Sequence, residues 1–229
     1  MHKLGLITGM AFEAAILRRA APRLAKNENL IILCNGMGRE GAATAAREAL
    51  RQGATALMSF GIAGALDPAL TAGTAVIASD IRDGTHALPG DPQWAGRLQE
   101  GLGAGPLRAV LAHTPGVLAT AAAKAELFRA TGAAAADMES YGIAEVAAGA
   151  GVPFAALRVI ADGAQDSIPA FALRAIAADG RVDIKASLWG ALTHPGQIPA
   201  LIQLGRRTAR AGREMRTLAD LGLARSFFL

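Results

Sequence analysis

Two acidic residues, Glu139 and Asp162, are the side chains best suited to chemistry in this sequence of 229 residues. Glu139 lies in Ala136-Asp-Met-Glu-Ser-Tyr-Gly, which is typical of the start of a helix, and Asp162 ends the apolar segment 151–162, which is typical of a strand. The N-terminus of such a helix and the carboxyl end of the next strand lie at the end of the sheet where α/β proteins bind ligands. The two carboxylates are therefore expected to face one pocket, for acid–base chemistry or for recognition of a polyhydroxy ligand.

The elements that must position these acids alternate between strands and helices, which indicates an α/β fold. Strands are predicted over residues 4–8, 30–34, 54–60, 74–79, 107–113 and 153–160. Helices are predicted after residues 9–10, from 36–41 to 50, and over 93–102, 121–131, 138–149, 169–192 and 197–220, with a long loop over 82–96. We expect one domain over residues 1–229, a three-layer αβα sandwich around a central mixed, mostly parallel sheet, with a basic helical tail at about 197–229.

Composition and charge exclude several classes of protein. Hydrophobic residues make up 52% and charged residues 18% of the chain, which is typical of a globular protein and not of a disordered one. The single cysteine excludes an intrachain disulfide and a cysteine-based metal cluster. With no signal peptide and no apolar segment of the roughly 18 residues that span a membrane, a cytoplasmic protein is expected. The net charge of +4, with few aromatic residues, argues against nucleic-acid binding.

Two glycine-rich segments follow predicted strands. Gly36-x-Gly38-x-x-Gly41 has the spacing of a dinucleotide fingerprint, but the acid required at the end of the next strand is absent from Met58-Ser-Phe-Gly61. We therefore expect no cofactor, and a nicotinamide or flavin is the minor alternative. The second segment, Gly61-Ile-Ala-Gly-Ala-Leu66, is predicted to turn after its strand, with or without a ligand. A ribose or an anion could be held by the backbone amides of Gly61, Ile62, Ala63 and Gly64.

Other candidate side chains are ambiguous when each is taken alone. Glu13 follows the first strand by one helical turn, where an acid is also favoured by the helix dipole. Asp137 could be the cap of the next helix. The four histidines show no metal-ligand spacing, so no metal site is expected. His113 ends a predicted strand and could line the pocket, although an ordinary loop histidine is the simpler interpretation.

Taken together and in order, these segments resemble the nucleoside phosphorylase and nucleosidase superfamily, of the methylthioadenosine/S-adenosylhomocysteine nucleosidase type. The resemblance covers roughly residues 3–190. It rests on Gly9-Met-Ala-Phe-Glu13, Asn35-Gly-Met-Gly38, Gly61-Ile-Ala-Gly64 with Gly73-Thr-Ala-Val-Ile-Ala, Asp137-Met-Glu139 and Arg158-Val-Ile-Ala-Asp162.

The resemblance implies cleavage of the N-glycosidic bond of a purine nucleoside by a homo-oligomeric enzyme. Asp162 would protonate the purine toward N7, which near neutral pH requires burial to raise its pKa. Glu13 would be the base for the attacking water. Glu139 would accept hydrogen bonds from the ribose 2′- and 3′-hydroxyls, and Met138 would pack under the ribose.

The choice of nucleophile depends on two departures from the family pattern. A serine that helps to bind phosphate in the family is replaced by Ile62, and Ser59 stands where the phosphorolytic members are expected to have an arginine. Arg39, from this subunit or a neighbour, and Gly9 remain as candidates for a phosphate site. Loss of the phosphate-binding residues with retention of Glu13 favours hydrolysis. Phosphorolysis is the nearest alternative, and a non-catalytic nucleoside-binding protein is the next.

The end of the chain resembles the hopanoid-biosynthesis-associated phosphorylases, which are thought to remove adenine from adenosylhopane. The resemblance rests on the segment 188–201 and on a tail with six arginines between residues 198 and 229. It implies a 5′-substituted, lipid-linked adenosine as substrate. The tail helix either packs on the protein or a subunit partner, or binds anionic lipid with the help of Phe227 and Phe228, which would add attachment at the membrane surface to the cytoplasmic location.

Overall fold

The computed structural model describes residues 3–21, 29–103, 105–169, 196 and 198–228. Its strands are β1 (Leu4–Thr8), β2 (Leu30–Cys34), β3 (Ala56–Ala65), β4 (Ala75–Asp83), β5 (His86–Pro89), β6 (Leu107–His113), β7 (Ala135–Asp137) and β8 (Phe154–Asp162). Its helices are α1 (Ala11–Ala20), α2 (Arg39–Arg51), α3 (Pro92–Leu102), α4 (Ala121–Thr131), α5 (Ser140–Ala150) and α6 (Ile198–Arg225). The helix predicted over 169–192 lies, apart from its first residue, outside the described residues.

All the described strands belong to one mixed sheet, which confirms the predicted α/β class. Parallel pairings join β1 to β2 and β3, β3 to β8, β4 to β6, and β6 to β7, whereas β3–β7, β4–β5 and β4–β8 are antiparallel. The sheet is not open throughout. Strands β3, β8, β4, β6 and β7 pair in a closed ring, with β2, β1 and β5 outside it, so both edges of β3 and β8 are occupied.

Helices cover both faces of the sheet because side chains alternate between the two faces along each strand. On one face Leu6, Met58 and Leu157 pack with α1, α3 and α6. On the other face Ile7, Leu57, Ala156 and Ile160 pack with α2 and α5. The helical residues of that second contact are mostly small, and they include Ala42, Ala45, Ala46, Ala49, Ala144 and Ala147. This alanine-rich packing brings α2 and α5 close to the strands whose ends form the site described below.

Two local predictions are wrong and one strand was not predicted, and each difference has a physical reason. Residues 61–65 continue β3 as a strand, because their pairing with β8 outweighs the low strand preference of glycine that predicted a turn. The predicted loop over 82–96 contains the β4–β5 hairpin, which turns at Gly84 with φ of 58°, and the start of α3, which Asp91 caps. The short strand β7 has only three residues, too few for a period to be recognised.

The segment that follows the tail helix belongs to the core. Phe227 is fully buried, its ring centroid is 5.8 Å from that of Phe60, and its carbonyl accepts a hydrogen bond of 3.1 Å from Nε1 of Trp94. The hypothesis that Phe227 helps to bind lipid is therefore wrong, because the ring is not available. Over the described ranges, no helix combines the length and the apolar character needed to cross a bilayer.

Candidate active site

The carboxyl ends of β1, β3 and β8 face a cavity of about 1000 Å³, measured over the residues that the structure describes. Three of the acids singled out in the sequence line this cavity together: Glu13 from the first turn of α1, Glu139 before α5 and Asp162 at the end of β8. Met138, Ile62, Ala63 and Gly64 also line it. The strand-and-helix order of the fold therefore gathers acids that are up to 149 positions apart in the chain into one pocket.

Glu13 is held by backbone amides from two strand ends. Its Oε2 accepts hydrogen bonds from the amides of Gly9 at 3.1 Å and Met10 at 2.9 Å, and its Oε1 accepts one from the amide of Ile62 at 2.9 Å. Burial raises the pKa of Glu13 to about 7, against the opposing effect of the Arg158 guanidinium. Glu13 can therefore exchange a proton near neutral pH, which is what a general base requires.

A buried arginine, Arg158 on β8, pairs with two further acids, Asp137 and Glu139. Its Nε is 2.7 Å from Oδ2 of Asp137, and its Nη2 is 3.5 Å from Oε2 of Glu139. Nη2 also donates to the hydroxyl of Ser59 at 2.7 Å and to that of Ser140 at 3.0 Å. Burial opposes the charge of Arg158, but the surrounding carboxylates outweigh burial and raise its pKa. Arg158 is thus a fixed cation whose donors are engaged by the protein.

Glu139 is oriented by a glycine turn and by Arg158. Its Oε1 accepts a hydrogen bond of 2.9 Å from the amide of Gly38, whose φ of 90° favours glycine. Burial raises the pKa of Glu139, and Arg158 acts in the opposite direction. Asp137 caps α5, because its Oδ1 accepts from the amides of Glu139 and Ser140 at 3.0 and 2.9 Å. The glycine pattern at 36–41 therefore positions a carboxylate in this fold.

Two glycines make room for the acids. A Cβ on Gly61 would lie 2.7 Å from Oε1 of Glu13 and would overlap the Arg158 guanidinium, which belongs to the residue paired with Gly61 across the sheet. A Cβ on Gly9 would lie 2.7 Å from the carboxylate carbon of Glu139. Both distances are shorter than side-chain carbon contacts allow, so these positions exclude larger residues while the acids keep their present places.

Asp162 forms a buried ion pair with Lys124, the fourth residue of α4. Lys124 is only 1% exposed, and its ammonium donates to Oδ2 of Asp162, to the carbonyl of Gly163 at 2.8 Å and to the carbonyl of Asp166 at 3.1 Å. Burial raises the pKa of the Asp162 carboxyl, whereas Lys124 lowers it, and the net shift is upward. Burial and Lys124 therefore act in opposite directions on the pKa of the Asp162 carboxyl.

Three of the sequence candidates have other partners in the structure. Arg39 is not among the residues that line the cavity; its guanidinium donates to Glu145 and to Asp83 and lies 4.8 Å from the ring centre of Tyr141. His113 is likewise not among the lining residues, and its ring centre is 5.8 Å from that of Tyr141. Gly9 is at the site, but its amide donates to Glu13.

The remainder of the cavity wall is mainly apolar and lies between α1, the segment 117–118 and the first half of α6. Its apolar residues include Phe12, Ile16, Val117, Leu118, Ile168, Leu201 and Leu204. At the same cavity are three exposed arginines, Arg19, Arg213 and Arg216. An acidic end and an apolar extension bordered by cations fit a ligand with a polar head and a nonpolar arm.

The sequence interpretation missed the roles of Arg158 and Lys124. A signal for Arg158 was present, because an arginine inside the apolar strand 154–161 requires a buried partner. The signal for Lys124 was weaker: it lies near the start of a helix, an end whose dipole disfavours a cation. Neither signal names the partner, since the acids that pair with these cations lie 19 to 38 positions away. In the described part of the chain, no group of three or more His, Cys, Asp or Glu side chains could hold a metal ion.

Solved structures share this fold at low sequence identity. The futalosine hydrolase of Helicobacter pylori is 14% identical, with a TM-score of 0.68 over 96% of this chain and 97% of that one. The 5′-methylthioadenosine/S-adenosyl homocysteine nucleosidase of Campylobacter jejuni is 15% identical, with a TM-score of 0.67 over 96% and 98%. The corresponding nucleosidase of S. pneumoniae, solved with a transition-state inhibitor, is 16% identical, with a TM-score of 0.68 over 96% and 99%.

The sequence itself gives the assignment to a family. None of the curated proteins matches the chain at a significant level. The family model described as the phosphorylase superfamily matches residues 3–186, which include every acid of the site. The chain therefore belongs to the phosphorylase superfamily.

Proposed function

We propose that this protein hydrolyses the N-glycosidic bond of a purine nucleoside that carries an apolar 5′ substituent, such as adenosylhopane, and releases adenine. The observation that carries the proposal is the convergence of Glu13, Glu139 and Asp162 on one cavity whose extension is apolar. Cleavage of this bond needs a base for water, an acid for the purine and stabilisation of a cationic sugar. The three carboxylates can supply these functions.

The proposed reaction balances with water as the second substrate. The bond between C1′ and N9 breaks, and its electron pair leaves with the purine. Asp162 transfers a proton toward N7, so that neutral adenine departs. A water molecule bonds to C1′ and loses a proton to Glu13, whose pKa of about 7 suits this step. Solvent then exchanges protons with both carboxyl groups and restores the resting enzyme.

The charge around the sugar supports a cationic transition state. In the proposal, Glu139 accepts hydrogen bonds from the 2′- and 3′-hydroxyls while Met138 packs against the ribose. The acids Glu13, Asp137 and Glu139 surround one guanidinium, that of Arg158. In their ionised forms these acids outnumber the cation, and the excess negative charge favours an oxocarbenium-like sugar, because charges in a buried site act strongly on developing charge.

The same charges favour water over phosphate as the nucleophile. A phosphate dianion would approach several buried carboxylates, and the donors proposed for it already have protein partners. The amide of Gly9 donates to Glu13, and Arg39 donates to Glu145 and Asp83. The buried cation nearest these acids, Arg158, was not a candidate and is itself paired with Asp137 and Glu139. Phosphorolysis remains the alternative that the assay below distinguishes.

Substrate preference tests the proposal. Purified protein is incubated with adenosine, methylthioadenosine and 5′-hexyl-5′-deoxyadenosine, with and without phosphate, and adenine and the sugar product are measured. We expect release of adenine and free sugar without phosphate. The hexyl compound should have a kcat/KM at least about tenfold above that of adenosine, since each buried methylene contributes about 0.8 kcal/mol.

Two matched variants test whether the apolar wall of the cavity binds the 5′ substituent. Leu204→Asp changes a residue of the apolar wall and should remove the preference for the hexyl compound while sparing adenosine. Ile202→Asp is the control, because Ile202 lies on the same helix but is 50% exposed and is not among the residues that line the cavity. Absence of adenine from every substrate would leave a nucleoside-binding protein, and a sugar phosphate formed only with phosphate would establish phosphorolysis.

A membrane surface is the proposed source of the apolar substrate. Arg19, Arg213 and Arg216 border the cavity, and the exposed Val117 lies there with them. Cations beside exposed apolar side chains are typical of binding to anionic lipid. Deletion of the tail would not test this idea, because the tail contributes Met215, Leu218 and Phe227 to the core.

We expect wild-type protein to sediment with vesicles of phosphatidylcholine and phosphatidylglycerol, and the double variant Arg213→Glu/Arg216→Glu to lose most of this binding. The control is Arg47→Glu/Arg51→Glu, which reverses two exposed charges on α2, on the opposite face of the sheet. Equal binding of wild type and of both double variants would contradict a role for the cavity rim.

A further inference from the structure

Lys124 is a buried cation that the reaction proposed above does not use. It is 1% exposed and lies in the first half of α4, which Thr120 begins by accepting a hydrogen bond of 3.2 Å from the amide of Ala123. The ammonium has one acceptor for each of its three N–H groups: Oδ2 of Asp162 and the carbonyls of Gly163 and Asp166. An ammonium with three fixed acceptors is held in one position, and it holds the carboxylate in turn.

The other charges near Asp162 are fewer and weaker in effect. Asp166, in the segment after β8, accepts from the amide of Gly163 at 2.7 Å and pairs with Arg207 of α6 at 2.6 Å. Asp166 acts to raise the pKa of Asp162 and Arg207 to lower it, both less than Lys124 does. Lys124 is thus the principal cation that counters the burial of Asp162.

We propose that Lys124 is a positioning residue that orients the Asp162 carboxyl through Oδ2 and sets the pH range in which Asp162 can donate a proton to the leaving purine. This inference rests on the proposed function. Without the cation, a buried carboxyl holds its proton more tightly and becomes a weaker acid. With the cation, the pKa of Asp162 is lower than burial alone would make it, so the carboxyl releases its proton more readily. Lys124 contacts Oδ2, which leaves Oδ1 for the substrate.

The test is the pH dependence of kcat in Lys124→Met. The limb on which activity falls as Asp162 loses its proton should move upward by about one to three pH units, the usual effect of a cation beside a carboxyl. Arg207→Met is the matched control: it removes a half-buried cation paired with Asp166 and should move the limb much less. An unmoved limb in Lys124→Met, in a protein that melts cooperatively, would overturn the inference.

A double-mutant cycle excludes a merely structural role. If Lys124 acts through Asp162, adding Lys124→Met to Asp162→Asn should lower kcat less than twofold further, and a larger additional loss would contradict the inference. A second readout does not depend on activity: the carboxyl ¹³C titration of Asp162, assigned with Asp162→Asn, should shift upward in Lys124→Met. If wild-type protein releases no adenine but the titration of Asp162 still moves upward in Lys124→Met, the proposed function is refuted and the coupling stands. If the titration does not move, the coupling is refuted.

Discussion

Replacement of Asp162 by Asn should lower kcat for adenine release by about 10²–10⁴-fold, the usual contribution of a general acid. The amide keeps the size of the side chain but has no acidic proton to transfer toward N7. Asp162 lines the cavity, and its side chain is only 13% exposed, so water cannot easily replace it as the proton donor. The loss should appear in single-turnover measurements of adenine, where product release does not limit the rate.

The control for this change is Asp166→Asn, which removes a carboxylate from the same segment without altering the cavity lining. We expect a loss of less than tenfold. Because Asp162→Asn leaves Lys124 without its carboxylate partner, thermal unfolding must be measured in parallel, since the loss of one member of a buried pair often costs about 3–5 kcal/mol. Nearly normal turnover by a folded Asp162→Asn protein would refute the role of Asp162 as the acid.

Replacement of Glu13 by Gln should lower kcat/KM by about 10²–10⁴-fold and change its dependence on pH. The pKa of Glu13 is about 7 because burial disfavours the ionised form, and only that form can accept a proton from water. Wild-type kcat/KM should therefore fall as the pH is lowered through about 7. The residual activity of Glu13→Gln should lack this limb, because the amide does not titrate.

Glu145→Gln is the matched control for the base. It neutralises a glutamate that pairs with Arg39 at the surface and does not line the cavity, so the limb near pH 7 should persist. Persistence of the same limb in Glu13→Gln would assign the titration to another group, with Glu139 as the first to be examined because burial also raises its pKa.

The alternation of strands and helices could be predicted from the sequence, because most elements are long enough to show a regular spacing of apolar residues. The closed ring of strands could not be predicted from the sequence. It depends on β7, which has only three residues, and on the pairing of β8 with both β3 and β4. Residues 61–65 are the clearest case of a structure that local sequence does not predict. Their composition favours a turn, and only the neighbouring strand β8 makes them a strand.

Glu139 and Asp162 could be singled out from the sequence by their places at a predicted helix start and strand end, whereas Glu13 received a role only through the family resemblance. Their electrostatic partners were not readable. The hydrogen bonds from Gly38 to Glu139 and from Ile62 to Glu13 join residues 101 and 49 positions apart. A backbone amide carries no sequence signal for the carboxylate it binds, so the pKa of each acid follows from the fold and not from its neighbours in the chain.

The pairing of Gly61 with Arg158 across β3 and β8 has a consequence for how this sequence can drift. A larger residue at 61 would collide with the guanidinium, and a smaller residue at 158 would leave Asp137 and Glu139 facing each other without their cation. Each substitution alone disturbs the buried acids, and a joint change would still place the new Cβ 2.7 Å from Oε1 of Glu13. Gly61, Arg158 and Glu13 therefore constrain one another, and a change at any of them requires the other two to adjust.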